Sequence, residues 1–295
     1  ATVASGALPL FAGAEPSDRV GPAPRIWIDP RIHALPKRPW RKIHEDFHNS
    51  VHIPKIGAQF NADEWGDRLL AGNVDAVVVF AKDMHGLFYY PSQYGPVHPG
   101  LSFDLLGEQV KACCARKIAV YAYYCVTWDN HLAEAHKEWL VVKRDGSTYL
   151  PKRGETPGWT ALCLAHADYV RLMDDHTREF VSKYELDGAW FDMAEPISEE
   201  CFCSECRRQL AASGKDPNDA AAQRDHKNGL FLDWHRHMRE LVRAARPGCQ
   251  VDFNDIGLAC VSQRAPLLDN IDIEALPTGG WGYFYAPAQI RYQRT

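Results

Sequence analysis

The sequence has no basic run, and its net charge is −5 over 295 residues. That removes the electrostatic footprint of a nucleic-acid binder. It has no repeat of fixed period and no low-complexity segment, so nothing points to a stacked-repeat architecture. Neither G-x-G-x-x-G nor a P-loop occurs, which deprives a doubly wound nucleotide-binding sheet of its phosphate-binding turn. The apolar N-terminal stretch, residues 1–14, falls short of the roughly 20 residues that span a bilayer.

What is present suits a soluble, enzyme-sized globular chain, with 46% hydrophobic and 24% charged residues. The length allows one large domain or two small ones. Nine Trp and twelve Tyr serve either stacking on sugars or core packing, and composition does not separate the two. Residues 1–14 carry no charge and end in Ala12-Gly13-Ala14, which resembles a signal-peptidase site. They read as the back half of a secretory signal, with a twin-arginine type among the options, and imply export to the periplasm or outside. A disordered tail is the alternative. Residues 15–41 are proline-rich and read as an extended lead-in, leaving 42–295 as a barrel-type catalytic domain.

From Ile43 the pattern alternates between strand and helix. "KIHEDFH" puts His44, Asp46 and His48 on one face by period two. "NADEWGDRLLAG" follows as a helix, with Asn61 as N-cap, Glu64 three residues on and Gly72 as the stop. "DAVVVFAK" is a continuous β-branched run, as in a strand buried on both faces. "SFDLLGEQVKACCARK" is helical, "IAVYAYYCV" a third strand, "ADYVRLMDDHTREFVSKY" an amphipathic helix and "DGAWFD" a fourth strand. A long helix stops at Pro247; "QVDFND" and "NIDIEAL" read as the fifth and sixth strands.

Such alternation argues a parallel α/β fold. Polar residues gather at the C-terminal strand ends: His48, Lys82 with His85, Trp128 with Asp129, Asp192, Asn254 and Glu274. That distribution suits a (β/α)8 TIM-type barrel, whose active site lies at that face. Only 21 residues follow Glu274, where a full barrel needs about two more βα units. The barrel is expected to be incomplete at the C-terminal side of this chain.

Asp192 and Glu274, both at strand ends, are the pair that glycoside hydrolysis requires. Asp192 is ionised at neutral pH and competent as a nucleophile. Glu274 would have to hold a proton through burial or a neighbouring negative charge. Each could instead cap a helix or pair with a lysine. Glu195 is the rival second carboxylate, or a hydrogen-bonding group for substrate.

On these stretches the chain resembles family 29 glycoside hydrolases, the α-L-fucosidases, and more nearly the glycosidase families bordering them. "DFHNS" resembles the family's first-strand histidine motif, and "FAKDMHGLFYYPS" its K-H-H-D-G-F segment. "VYAYYCVTW" resembles its Y-Y-S…W strand and "KYELDGAWFD" the approach to W-F-D. "VDFNDIG" resembles V-N-D, and "EALPTGGWGY" the segment in which a glutamate precedes W-G-Y. The resemblance implies a sugar site lined by His48, Lys82, His85, Trp128, Asn254 and Trp281, with Asp192 as nucleophile and Glu274 as acid/base. Asp83 and Met84 stand where the family has two histidines that contact the sugar, which puts fucose in doubt more than hydrolysis. The implied enzyme is a retaining exo-glycosidase. A non-catalytic carbohydrate-binding barrel and a β-galactosidase-like glycosidase are the alternatives, and the oligomeric state stays open.

Cys201, Cys203 and Cys206 form C-x-C-x-x-C, three thiols close enough to share a metal. Cys163 is the best fourth ligand for tetrahedral zinc. The arrangement resembles family 42 β-galactosidases, which implies a structural site beside Asp192. Export favours disulfides instead, although nine cysteines is odd and closely spaced thiols strain when bridged. Cys113, Cys114, Cys125, Cys249 and Cys260 read as small core residues. His226, His235 and His237 on the long helix read as solvated or capping groups, and His131 and His136 as surface residues. No organic cofactor is expected.

Overall fold

The computed structural model describes residues 41–149, 160–198, 200–254, 261–270, 272–279 and 281–292. The expected signal remnant, almost all of the lead-in, and Cys260 lie outside them. Five parallel strands form one sheet in the order β1-β2-β3-β4-β5: Lys42–His44, Ala76–Lys82, Ala119–Cys125, Gly188–Asp192 and Gln250–Phe253. The sheet curls into half of a barrel.

The side-chain period of two sorts each strand between two cores. Val77, Val79 and Ala81 of β2, Val120, Ala122 and Tyr124 of β3, and Phe191 of β4 face the outer, helix-covered core. Val78 and Phe80, Tyr121 and Tyr123, and Trp190 face the concave side. Phe80 and Tyr123 stack there at 3.8 Å, and Trp190 stacks on Tyr123 at 5.5 Å. Every residue of β2 and β3 is buried, at about 1.5–3 kcal/mol for each large apolar side chain. β1 and β5 are the two edges, yet Lys42 Nζ reaches Asp252 at 3.2 Å. This ion pair spans the concavity and joins the edges that an open flat sheet would keep apart.

The helices follow their sequence signals. Helix α1, Ala62–Ala71, is capped by Asn61, whose side chain accepts from the Glu64 N–H at 3.0 Å. Helix α2, Leu105–Arg116, is capped by Asp104. A short helix α3, Asn130–Ala135, follows β3, capped by Asp129. Helix α4, Ala167–Lys183, buries Tyr169, Met173, His176, Thr177, Phe180 and Val181, one stripe at helical spacing. Helix α5, Ser204–Ala212, carries Cys206, and α6, Ala220–Ala245, packs on α4. Two short helices, α7 (Val261–Arg264) and α8 (Tyr285–Tyr292), come last.

Three expectations change. The sixth strand is not formed among the described residues: residues 272–276 are irregular. Side chains hold that segment in place of a ladder: Asp272 accepts from Lys42 Nζ and from Trp190 Nε1, each at 2.6 Å. His235 is buried rather than solvated, and the surrounding apolar core pushes its imidazole down to about 3, with Arg264's charge adding. Its neighbour His237 instead pairs with Asp174 at 2.8 Å. Among the expected core thiols, Cys114 is exposed. No helix among the described residues is long and apolar enough to cross a membrane.

Candidate active site

A cavity of about 660 Å³ opens at the C-terminal ends of the strands, within the usual range for a small-ligand site. Asp192, Glu274, Asn254, His48 and Trp128, all expected site residues, line it together. The central contact is Asn254. Its amide nitrogen donates to Asp192 Oδ1 at 2.8 Å and to Glu274 Oε2 at 2.9 Å. Those two oxygens therefore lie no farther apart than the two bonds laid end to end, about 5.7 Å.

The other oxygen of Asp192 has a donor too. Tyr123 donates its hydroxyl to Oδ2, and the Tyr123 oxygen lies 3.2 Å from His48 Nε2. His48 Nδ1 accepts from the Met84 N–H at 3.3 Å, which leaves the ring proton of the neutral form on Nε2. The chain of donors thus runs from Met84 through His48 and Tyr123 to the carboxylate. Burial pushes His48 and His44 down from the usual histidine value, against the pull of neighbouring carboxylates, so both favour the neutral ring. Immediately after Asp192 the chain turns at Met193 with φ of 51°, and Thr127 donates its hydroxyl to the Met193 carbonyl at 2.9 Å. A left-handed Met is a costly conformation, held by this local bonding.

Four expected residues stand apart from the cavity. Lys82 is fully buried, donates to the Cys125 carbonyl and pairs with Asp129, each at 2.9 Å. A register irregularity in β2 explains this: Phe80 lies opposite Tyr123, but Lys82 opposite Tyr124. One extra residue reverses the face of everything after it, sending Lys82 behind the sheet. His85 lies near Asn130 Nδ2, at 3.0 Å. Glu195 faces Arg264 at 3.7 Å. Trp281 is exposed and stacks on Tyr285 at 5.6 Å. Asp83, in place of a family histidine, holds its own loop: its carboxylate accepts from the His85 and Leu87 N–H groups and the Tyr89 hydroxyl.

Sequence reasoning omitted Tyr123, Lys42 and Asp272, which the fold brings to the same cavity. Tyr123 was accessible in principle, since it shares strand parity with Tyr121 and pairs with Trp190. Lys42 and Asp272 meet only through tertiary structure. The other carboxylate that Lys42 binds, Asp252, is buried, which raises its carboxyl to about 7; Lys42 opposes the shift and the charge of Asp272 adds to it.

Behind the loop that follows Asp192, Cys163, Cys201, Cys203 and Cys206 are all buried, with their sulfurs within 4.8 Å of one another. Cys163 and Cys206 are 3.4 Å apart, too far for the roughly 2.05 Å of a disulfide. A tetrahedral metal with bonds of about 2.3 Å puts its sulfurs at comparable spacings. The cluster could hold such a metal.

The family model described as hypothetical glycosyl hydrolase 6 matches residues 61–193, ending one residue past Asp192. No curated protein matches the chain. Among solved structures, α-L-fucosidase isoenzyme 2 from Paenibacillus thiaminolyticus is 32% identical with a TM-score of 0.79, covering 86% of this chain and 38% of that one. The chain thus spans less than two-fifths of that enzyme's length. The PgaB glycoside hydrolase domain from Bordetella bronchiseptica is 18% identical with a TM-score of 0.60, covering 86% of this chain and 80% of that one. A β-galactosidase from Marinomonas ef1 is 12% identical with a TM-score of 0.58, covering 81% and 41%; these last two show the fold alone. Within residues 61–193 the chain matches the hypothetical glycosyl hydrolase 6 model, and over most of its length it resembles the fucosidase-like glycosidase superfamily.

Proposed function

We propose that the chain is a retaining glycoside hydrolase, fucosidase-like, that removes a terminal sugar with Asp192 as nucleophile and Glu274 as acid/base. One observation carries the reading: a single amide, Asn254, binds both carboxylates at 2.8 and 2.9 Å. The resulting limit of about 5.7 Å between the bonded oxygens is compatible with carboxyl groups at the retaining spacing of about 5–5.5 Å.

In the first step an Asp192 oxygen attacks the anomeric carbon, the glycosidic C–O bond breaks, and Glu274 gives its proton to the departing oxygen. In the second, Glu274 takes a proton from water, the water oxygen attacks the anomeric carbon, and Asp192 leaves. Two inversions restore the starting configuration. Donors on both Asp192 oxygens hold it oriented. His48, Trp128 and Asn254 form the sugar-facing wall, and His85, Lys82, Glu195 and Trp281 act from outside the cavity.

The cysteine cluster would hold a structural zinc, with all four positions taken by thiolates and none left for water. That pins the loop after Asp192 and does no chemistry. Residues 1–14 support export. The test is a panel of aryl glycosides assayed with wild type, Asp192→Asn and Glu274→Gln. Turnover lost in Asp192→Asn supports the proposal, and unchanged kcat refutes it. The exposed position of Glu274 in an irregular segment favours, as second reading, a carbohydrate-binding barrel without turnover. Sugar binding with no hydrolysis in the same panel would select it.

A further inference from the structure

We infer that Asp272 is a specificity residue of this cavity, accepting a hydroxyl of a neutral, hydroxyl-rich sugar through Oδ1; the inference rests on the glycosidase reading of the same site. The carboxylate is half committed. Its Oδ2 takes Lys42 Nζ and Trp190 Nε1, each at 2.6 Å, whereas Oδ1 has no hydrogen-bond partner among the described residues. Two donors on one oxygen fix the side chain's rotation and leave its second acceptor uncommitted on a residue that lines the cavity. An ionised carboxylate only accepts, so its complement is an O–H or N–H donor. Sugar hydroxyls supply that donor, and charge-assisted bonds to them are the strong kind.

The charge around the cavity narrows the sugar class. Lys42 is the single lysine or arginine among the described residues lining it, facing Asp46, Asp192, Asp272 and Glu274. Lys42 is already spent: Nζ bonds Asp252 at 3.2 Å and Asp272 at 2.6 Å, and lies 5.0 Å from the centre of the Tyr121 ring. A uronate, sulfate or phosphate ester would enter without a free lysine or arginine among the described lining residues to meet it. The position also links Asp272 to the proposed chemistry. Trp190, its donor, stacks on Tyr123, which donates to Asp192, and His44 feels the charge of both Asp192 and Asp272.

The test compares wild type with Asp272→Asn on a good neutral aryl glycoside, its monodeoxy analogues taken one hydroxyl at a time, and the matching uronide. The expected result is a fall in kcat/KM of about 10- to 100-fold in Asp272→Asn on the parent. For one monodeoxy analogue that difference between the two proteins should vanish. The uronide should be rejected by wild type. An equal penalty across the whole series, no penalty at all, or efficient uronide turnover overturns the inference. Should Asp272→Asn not fold, Asp272→Glu keeps an acceptor for Lys42 and Trp190 and is read in the same way. Failure of the underlying reading looks different: wild type turns over no glycoside, or Asp192→Asn remains fully active. Equilibrium binding of the free sugars, followed by tryptophan fluorescence, then decides Asp272. Neutral-sugar binding weakened in Asp272→Asn supports the role, and no neutral-sugar binding by wild type ends it.

Discussion

Two polar clusters flank the end of β4, and they are built on opposite plans. On the concave side, oxygen and nitrogen groups converge on open space: Asp192, Asn254, Glu274, His48 and Asp272 all line a cavity of about 660 Å³. Past Asp192 in the chain, three sulfurs converge with that of Cys163, all four buried. The first cluster keeps acceptors available to a ligand. The second is closed, and a metal bound there would have every position filled. On the proposed reading, chemistry belongs to the first and stability to the second, although a short loop separates Asp192 from the C-x-C-x-x-C run in sequence.

Substitutions should separate the two plans cleanly. The largest effect is expected for Asp192→Asn, which should lower kcat by on the order of 10⁴-fold while leaving the thermal midpoint near wild type. Parallel kinetics and thermal melts check this. A similar loss of fold would move Asp192 into the structural cluster. Next comes Cys206→Ser. It should remove bound metal and cost on the order of 4–5 kcal/mol, read by elemental analysis and urea unfolding. An unchanged urea midpoint would show that the sulfurs do not brace the loop.

Lys82→Met tests which side of the sheet Lys82 serves. It strands Asp129 without its partner at 2.9 Å and should cost about 3–5 kcal/mol. KM of the folded fraction should hardly move. A raised KM at unchanged stability would place the lysine in the sugar site after all.

For a single group, the smallest effect concerns pH. Burial pushes His235 down to about 3 and His176 to about 4, with Lys82's charge adding at His176. An unfolded histidine titrates near 6.5. Their contribution to stability is therefore complete above about pH 6.5. It is lost as pH falls towards 4 and 3, because the unfolded chain takes up protons that the folded one refuses. The loss is about 1.4 kcal/mol per pH unit for each histidine. Urea midpoints at pH 7 and pH 5 measure it, and His235→Gln should make the slope shallower. Equal midpoints would contradict the burial argument.

Much of this was legible in the sequence, for identifiable reasons. Local signals carried the first five strands and the capped helix after Asn61, because alternation and capping act within a few residues. Asp192, Asn254, His48 and Trp128 reach one cavity because parallel strands gather their C-terminal ends at one face; Glu274 reaches it from an irregular segment instead. Lys82 misled because a one-residue bulge inverts parity without any mark in the sequence. "NIDIEAL" alternates like a strand, yet Asp272 is bound to Lys42 and Trp190, and those contacts are set far away in the chain. The burial of His235 was equally hidden, since it depends on what packs against α6.

The most direct measurement of the central claim is covalent trapping. Incubation with an activated 2-deoxy-2-fluoro glycoside of the best substrate's sugar, followed by proteolysis and mass spectrometry, reports which residue bonds to the anomeric carbon. The account predicts one glycosyl adduct, on Asp192 and absent from Asp192→Asn. An adduct on another residue, or turnover with inverted product and no adduct, would contradict it.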